Sequence, residues 1–388
     1  LVKRTVVMRE DLEELNAREL FHFPVLLGGA ALNRRYVEQD LREIYKGTVF
    51  YCQDAFEGLA MMDRVAKARA AGVAVSADSL VAVRAGAEED TGYDRVEAPP
   101  AEPVPAQDAY APSDIRRDVA VPEPPFWGSR VVKGIPLRDI FPYVNEIALF
   151  RGQWQYQKGA RSDAEYERFV DEEVRPVFRR LQDQAISEQL LTPQVVYGYF
   201  PCQAEENRLL VWPDAVGGLP TGEPVVFDFP RQPSGRRLCI SDFFRDRASG
   251  EYDVVGLSLV TVGSRASEHT KKLFAANEYR EYLHFHGFSV ETAEALAEAW
   301  HKRMRQELGI DGKDAKEMRK LFAQGYQGSR YSPGYPACPN LEDEATIARL
   351  LEPGRIGVEL GETFQWHPEQ TTSAIVVHHP EARYFTIR

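Results

Sequence analysis

Cysteine is scarce in this chain: Cys52, Cys202, Cys239 and Cys338 are the only four among 388 residues, and no two form a C-x-x-C pair. That spacing excludes a disulfide scaffold and a thiol-based zinc or redox motif, and fits free thiols in a reducing cytoplasm. No secretory signal and no long apolar run is present, so a membrane partner is not expected. Positive charge is also in deficit. A net charge of -12 argues against broad nucleic-acid binding, which needs basic surface to displace counterions. Internal repeats are missing, and low complexity is confined to one proline-rich stretch. What remains is a hydrophobic content of 44% in a chain long enough for two domains.

The first segment alternates helix and strand signals. An amphipathic run from Met8 to Leu20 precedes an apolar strand, Pro24-Val25-Leu26-Leu27, that ends in Gly28-Gly29; a second strand, Val49-Phe50-Tyr51-Cys52, leads into a helix from Phe56. This order is that of an α/β, Rossmann-like parallel sheet, in which ligands bind beyond the carboxyl ends of the strands, here Gly28, Gly29 and the Gln53-Asp54-Ala55 turn. A plain tight turn accounts for the two glycines equally well. From about Glu89 to Pro125 the composition turns to proline, small and charged residues, which reads as a semi-stiff linker.

Beyond the linker, Ser162 is placed to cap a helix with Asp163 and Glu165 in its first turn, and Pro176 to kink it. Strand-like runs follow at 195–200, 209–212, 225–229 and 254–262. The first three are joined by connections too short for crossover helices, so they pair antiparallel. A second helix is expected near Ser289, burying Ala293, Leu296, Ala297, Trp300 and Met304. The second domain is therefore α+β, with helices covering an antiparallel sheet.

One loop carries the clearest chemistry. Gly325 to Pro339, GYQGSRYSPGYPACP, packs three glycines, three prolines, three tyrosines and Arg330 into fifteen positions. Glycine and proline at that density fix the backbone, and a rigidly held guanidinium receives a carboxylate on its fork. A structural Pro/Gly turn is the competing reading. Cys338 has no histidine or acid beside it in sequence and reads as packing. His378 and His379 are adjacent on a strand and face opposite ways, so they do not share a metal. Lys302, Arg303, Arg305, Lys313, Lys316, Arg319 and Lys320 form a basic run in an acidic chain, suited to an acidic partner or simply to solvent.

From Val131 onward the sequence resembles the activation domain of cobalamin-dependent methionine synthase. The resemblance rests on Asp139-Ile140-Phe141-Pro142-Tyr143-Val144-Asn145, the Gly325 to Pro339 loop, Phe364-Gln365-Trp366-His367-Pro368, and Val377-His378-His379-Pro380 with Arg383-Tyr384-Phe385, all in the family's order. The first segment is similar to the last two strand and helix units of that family's cobalamin-binding domain. The organisation implied is the end of a cobalamin domain over 1–88, a linker over 89–126 and an activation domain over 127–388. No starting methionine is present, and none of the eight histidines stands in the family's Asp-x-His-x-x-Gly motif. A piece of a longer polypeptide without the lower cobalt ligand is expected, so no metal site is assigned.

The resemblance implies cobalamin (methylcobalamin) and S-adenosylmethionine as cofactors, with zinc only in a module elsewhere. It implies reductive reactivation of cob(II)alamin by methyl transfer from S-adenosylmethionine, within an enzyme that methylates homocysteine using methyltetrahydrofolate. Arg330 would hold the methionyl carboxylate. Gly334, Tyr335, Pro336 and Ala337 would follow it along the ligand, and the backbone of Tyr384 and Phe385 would meet the adenine. Tyr335 would face the corrin, and Glu298 would lie between ligand and corrin edge; these two are the catalytic candidates. Gly28, Gly29 and Ala55 would line the cobalamin nucleotide. Asn145 stands where the family has an aspartate for the ligand's ammonium group, which leaves Asn145 or Glu146 for that task. Gln324, Asn340 and Leu341 also depart from the pattern. A flavodoxin-like reductase is the expected partner of the basic run, beside upstream modules of the same polypeptide, in a monomer. Two alternatives stay open: a docking module without chemistry, and a generic S-adenosylmethionine-dependent small-molecule methyltransferase.

Overall fold

The computed structural model describes residues 2–28, 36–52, 55–70, 113–216 and 218–387. The chain divides into two compact units, 1–99 and 100–388. Gly29, Gln53 and Asp54 lie outside the described residues, as does most of the span read as a linker.

In the first unit, helix α1 (Val2–Ala17) and strand β1 (Val25–Gly28) precede helical turns at 36–44, strand β2 (Val49–Cys52) and helix α2 (Ala55–Ala70). β1 and β2 pair in parallel, Val25 with Val49 through Gly28 with Cys52. Alternation along the strands separates two clusters. Val49 packs with Leu12, Val37, Leu41 and Tyr45 on one face, while Phe50 and Cys52 meet Met61 and Val65 of α2 on the other. Helices cover both faces, as in a doubly wound sheet. Gly28 is needed for the pairing itself: a Cβ there would lie 2.2 Å from the Cys52 carbonyl oxygen.

The second unit is built on a seven-stranded antiparallel sheet of β3 (Gly128–Lys133), β4 (Gln194–Glu205), β5 (Arg208–Val211), β6 (Val225–Asp228), β7 (Asp253–Thr261), β8 (Ser329–Tyr331) and β9 (Thr371–Val377). The order is β8-β9-β7-β4-β5-β6. The twelve residues of β4 also accept β3 along their first half, Gly128 opposite Tyr199 through Lys133 opposite Gln194. On one face a cluster around Phe200, Phe227, Leu257 and Ile375 is covered by a helix over Asp343–Leu351. Against the other face lies the 29-residue helix α3 (Tyr279–Glu307), whose Glu307 accepts hydrogen bonds from the Tyr197 and Tyr199 hydroxyls at 3.0 and 2.9 Å.

Ser162 caps its helix as read, in a box with Glu165. The expected kink is a π-type turn over Val170–Val174, just before Arg175 and Pro176, a residue with no N–H to donate. Helix α3 starts at Tyr279, ten residues before the cap assigned to Ser289. That hydroxyl instead donates back to the His286 carbonyl at 2.8 Å, inside the helix.

Residues 113–126, read as the end of the linker, are docked on the second unit. Ile115 enters its core, and the Arg117 guanidinium reaches Asp242 at 2.8 Å and Asp246 at 2.6 Å. Asp242 also accepts two hydrogen bonds from Arg231, at 2.6 and 2.8 Å. Burial works against ionisation of this carboxyl, yet Arg231 outweighs it and holds the group below its usual range. Removing the carboxylate takes two charge-assisted hydrogen bonds from the buried Arg231 guanidinium. Asp242→Ala is expected to destabilise the second unit by about 3–5 kcal/mol in urea unfolding, and to expose the 113–126 segment to proteolysis.

Candidate functional site

Strand β8 sets the site through simple alternation. Its flanking residues Ser329 and Tyr331 are buried on the core face, where Tyr331 sits near Phe243 and donates to the Arg383 carbonyl at 2.8 Å. Arg330, paired with Val376 of β9, must point to the opposite face, toward α3. There its Nη1 donates to Glu298 Oε2 at 2.9 Å, and its Nη2 lies 3.6 Å from Glu294 Oε2. Gly328 makes the approach to the strand possible. Its φ is +85°, and a Cβ would lie 2.4 Å from the Val377 carbonyl oxygen.

Arg330 opens on a cavity of about 260 Å³ lined also by Tyr143, Asn145, Ala148, Glu291, Glu294, Ala295, Glu298 and Phe322. Glu291, Glu294 and Glu298 recur at helical spacing, so α3 offers three carboxylates on one stripe to a single guanidinium. Glu298 is buried and its Oε1 has no hydrogen-bond partner among the described residues. Glu291 is buried too; desolvation, then the charge of Glu294, push its carboxyl up to about 7, while a 3.4 Å contact from Gln153 pulls the other way. The sequence reading passed over Glu291 and Glu294. Their signal was available in the spacing of the Glu291-Thr-Ala-Glu294-Ala-Leu-Ala-Glu298 run.

A second buried ion pair fixes the ground beneath the loop. Arg305, fully buried, grips Asp314 through Nε and Nη2, the latter at 2.8 Å, with its guanidinium 4.1 Å from the Tyr326 ring centroid. Tyr326 in turn meets His301 edge-on. Arg305 is thus structural rather than part of a basic surface, and Arg303 is tied to Glu307 at 3.0 Å. Of the basic run, Lys313, Lys316, Arg319 and Lys320 are exposed, with Lys320 paired to Glu317.

The remaining candidates fall in several places. Asn145 lines the cavity, but its Oδ1 accepts from the backbone N–H groups of Ile147 and Ala148 at 3.1 and 3.3 Å, capping the turn that follows. Glu146 is paired with Arg175 at 2.7 Å and faces a different cavity. Gly334, Tyr335 and Pro336 form the exposed tip of the loop, with Tyr335 in electrostatic reach of Glu294 and Arg330. Ala337 and Cys338 are buried in the core. Burial, then Asp343 at 3.5 Å, drive the Cys338 thiol up, so it packs as a neutral group. Tyr384 is exposed and its backbone N–H donates to Gln324 Oε1 at 3.0 Å, whereas the Phe385 ring belongs to the core beside Tyr331. His378 and His379 go separate ways, the first to Asp253 at 2.6 Å and the second to the Arg116 carbonyl at 2.7 Å. Gly28 is accounted for by strand pairing, and Ala55 opens α2.

An antiparallel sheet whose edge arginine and covering helix enclose a small cavity of mixed charge defines an α+β domain with a candidate ligand site. Residues 136–388 match the model of the vitamin B12 dependent methionine synthase activation domain, and the chain belongs to that family. Methionine synthase of Mycobacterium tuberculosis is 45% identical over 407 aligned residues, covering 100% of this chain and 34% of that protein. The Mycobacterium leprae enzyme is 43% identical over 414, with the same coverage. The chain thus spans about a third of the length of these curated relatives. A crystal structure of the MetH reactivation domain bound to AdoHcy superposes with a TM-score of 0.61 at 25% identity, over 69% of this chain and 84% of that one.

Beneath the loop, Glu344 accepts a hydrogen bond from Ser373 at 2.6 Å, and Ser332 donates to the Ser373 carbonyl at 2.7 Å. Burial raises the Glu344 carboxyl from 4.5 to about 7. Unfolded chains release this proton first, so the folded state binds more protons between those values and loses stability as pH rises across them. Glu344→Gln is expected to flatten that part of the pH-stability curve, read by thermal melting between pH 5 and about 8. Gly328→Ala is expected to cost about 1–3 kcal/mol of stability in the same assay.

Proposed function

We propose that this chain binds S-adenosylmethionine in the Arg330 cavity and serves, within a longer methionine synthase, to return an oxidised cobalamin to its active form. The observation that carries the reading is the buried pairing of one guanidinium with an excess of carboxylates. An amino-acid carboxylate fits the arginine fork, and the ammonium and sulfonium charges of this ligand suit the surplus acid. At about 260 Å³ the cavity takes the amino-acid end of the ligand, with the loop tip at Gly334, Tyr335 and Pro336 and the segment after the last strand at Tyr384 left for the nucleoside. Bound S-adenosylmethionine brings an already activated methyl, so Arg330 and its surroundings need only hold and aim it. Support also comes from the AdoHcy of the structural neighbour, the reaction product of that methyl donor.

The turns after β1 and β2, where the cobalamin nucleotide side was expected, lie outside the described residues, so cobalamin enters this reading through the family alone and no step is derived through it. The homocysteine and folate modules belong to the rest of the polypeptide, and the setting is the cytoplasm. A generic methyltransferase is disfavoured, since that class uses a glycine-rich loop after a first parallel strand and this cavity sits at the edge of an antiparallel sheet. The electron donor, a flavodoxin-like reductase, would dock on Lys313, Lys316, Arg319 and Lys320.

Calorimetric titration of the 388-residue chain with S-adenosylmethionine tests the main reading. Arg330→Ala is expected to weaken binding by about tenfold or more, as loss of a charge-assisted contact does. Equal affinity in both proteins refutes the assignment. Lys316→Glu with Arg319→Glu is expected to slow reduction at low salt and leave ligand affinity unchanged.

A further inference from the structure

Binding as proposed leaves the ligand's ammonium group without a partner, and the geometry narrows the choice. Asn145 is not free to accept it. Two backbone N–H groups donate to one atom of its amide, which identifies that atom as Oδ1, so the atom left over is the NH₂, a donor only. Glu146 is turned to Arg175. Glu298 Oε2 holds Arg330, and Glu294 is 41% exposed and 3.6 Å from the same guanidinium. Glu291 differs from all of these. It is buried, lines the cavity, and among the described residues has only the long 3.4 Å contact with Gln153. The other oxygen of Glu298, Oε1, is buried without a donor among the described residues, so it is out of a ligand's reach and only adds to the surplus of acid.

We propose that Glu291 receives the ammonium group of the ligand's amino-acid tail, in place of residue 145. The inference rests on the functional reading above and extends it to a specificity-determining residue. Groups facing Glu291 are Glu294 and Glu298 on its own helix, Asn145 and Gln153 from the segment beside it, Arg330 from β8 and Tyr335 from the loop. Within that surrounding its carboxyl titrates near neutrality, so an arriving ammonium ion displaces a proton from it.

The test compares S-adenosylhomocysteine with its deaminated analogue, in which hydrogen replaces the amino group, by calorimetry on the full chain at pH 6 to about 8 in buffers of different ionisation enthalpy. The unaltered chain is expected to prefer the amino compound by about tenfold or more, and to release protons on binding it. In Glu291→Gln the preference falls to within about threefold and proton release vanishes, while affinity for the deaminated analogue is unchanged. That last value shows that the site is still folded. Adding Asn145→Asp to Glu291→Gln is expected to restore the preference without restoring proton release near neutrality. A full preference retained by Glu291→Gln overturns the inference, as does an equal loss of both ligands. An unaltered chain that binds S-adenosylhomocysteine without preferring it also overturns the inference, and leaves the functional reading standing. Failure to bind either compound sinks that reading and this one together.

Discussion

The contact between Arg330 and Glu298 is the interaction on which the site depends. It joins the last short strand of a sheet edge to the helix packed over that sheet, and it does so in a place largely sheltered from water. Neither partner tolerates such a place alone, because an unpaired buried charge costs far more than a paired one. Two further carboxylates on the same helix stripe tilt the balance to negative. A ligand that brings only a carboxylate would add to that negative balance. One that brings a cation with its carboxylate offsets it, taking donors of the fork that Glu298 leaves open and giving a positive group to the surplus acid.

Much of the fold was legible in the chain because its signals are local. The parallel pair of the first unit could be read from Val25 to Gly28 and Val49 to Cys52, apolar runs closed by turns, and the capping box from Ser162 and Glu165 three residues apart. Short connections gave the antiparallel pairing of β4, β5 and β6. Misreadings arose where tertiary packing overrode a local sign. Ser289 was read as a cap, yet it lies inside α3, two residues after Gly287, where a Cβ would fall 2.8 Å from Gln153 Cβ. The glycine is there for close packing, and the serine satisfies itself within the helix.

The candidate site was more legible in its anchor than in its acids. Arg330 announced itself through the glycine and proline density around it, and Glu298 through a family resemblance. Glu291 and Glu294 share a stripe with Glu298, but only the placement of β8 against that stripe shows that it lines a cavity. Residues 113–126 show the same limit. Proline-rich composition says nothing about what the segment lies on, and Arg117 finds Asp242 across 125 positions of chain. Arg305 leaves the basic run for a related reason, since it is close in sequence to exposed cations but buried on Asp314.

Helix α3 runs 29 residues, roughly 43 Å. At its far end Glu307 is fastened by two tyrosine hydroxyls from β4, the central strand, while its middle turns carry the acidic stripe. A rod clamped in this way fixes the backbone spacing of Glu291, Glu294 and Glu298, whatever their side chains do. The register of the acids is therefore set by the middle of the sheet, while the Arg330 cation comes from its edge, so the charge pattern of the cavity is written jointly by two distant parts of the same scaffold.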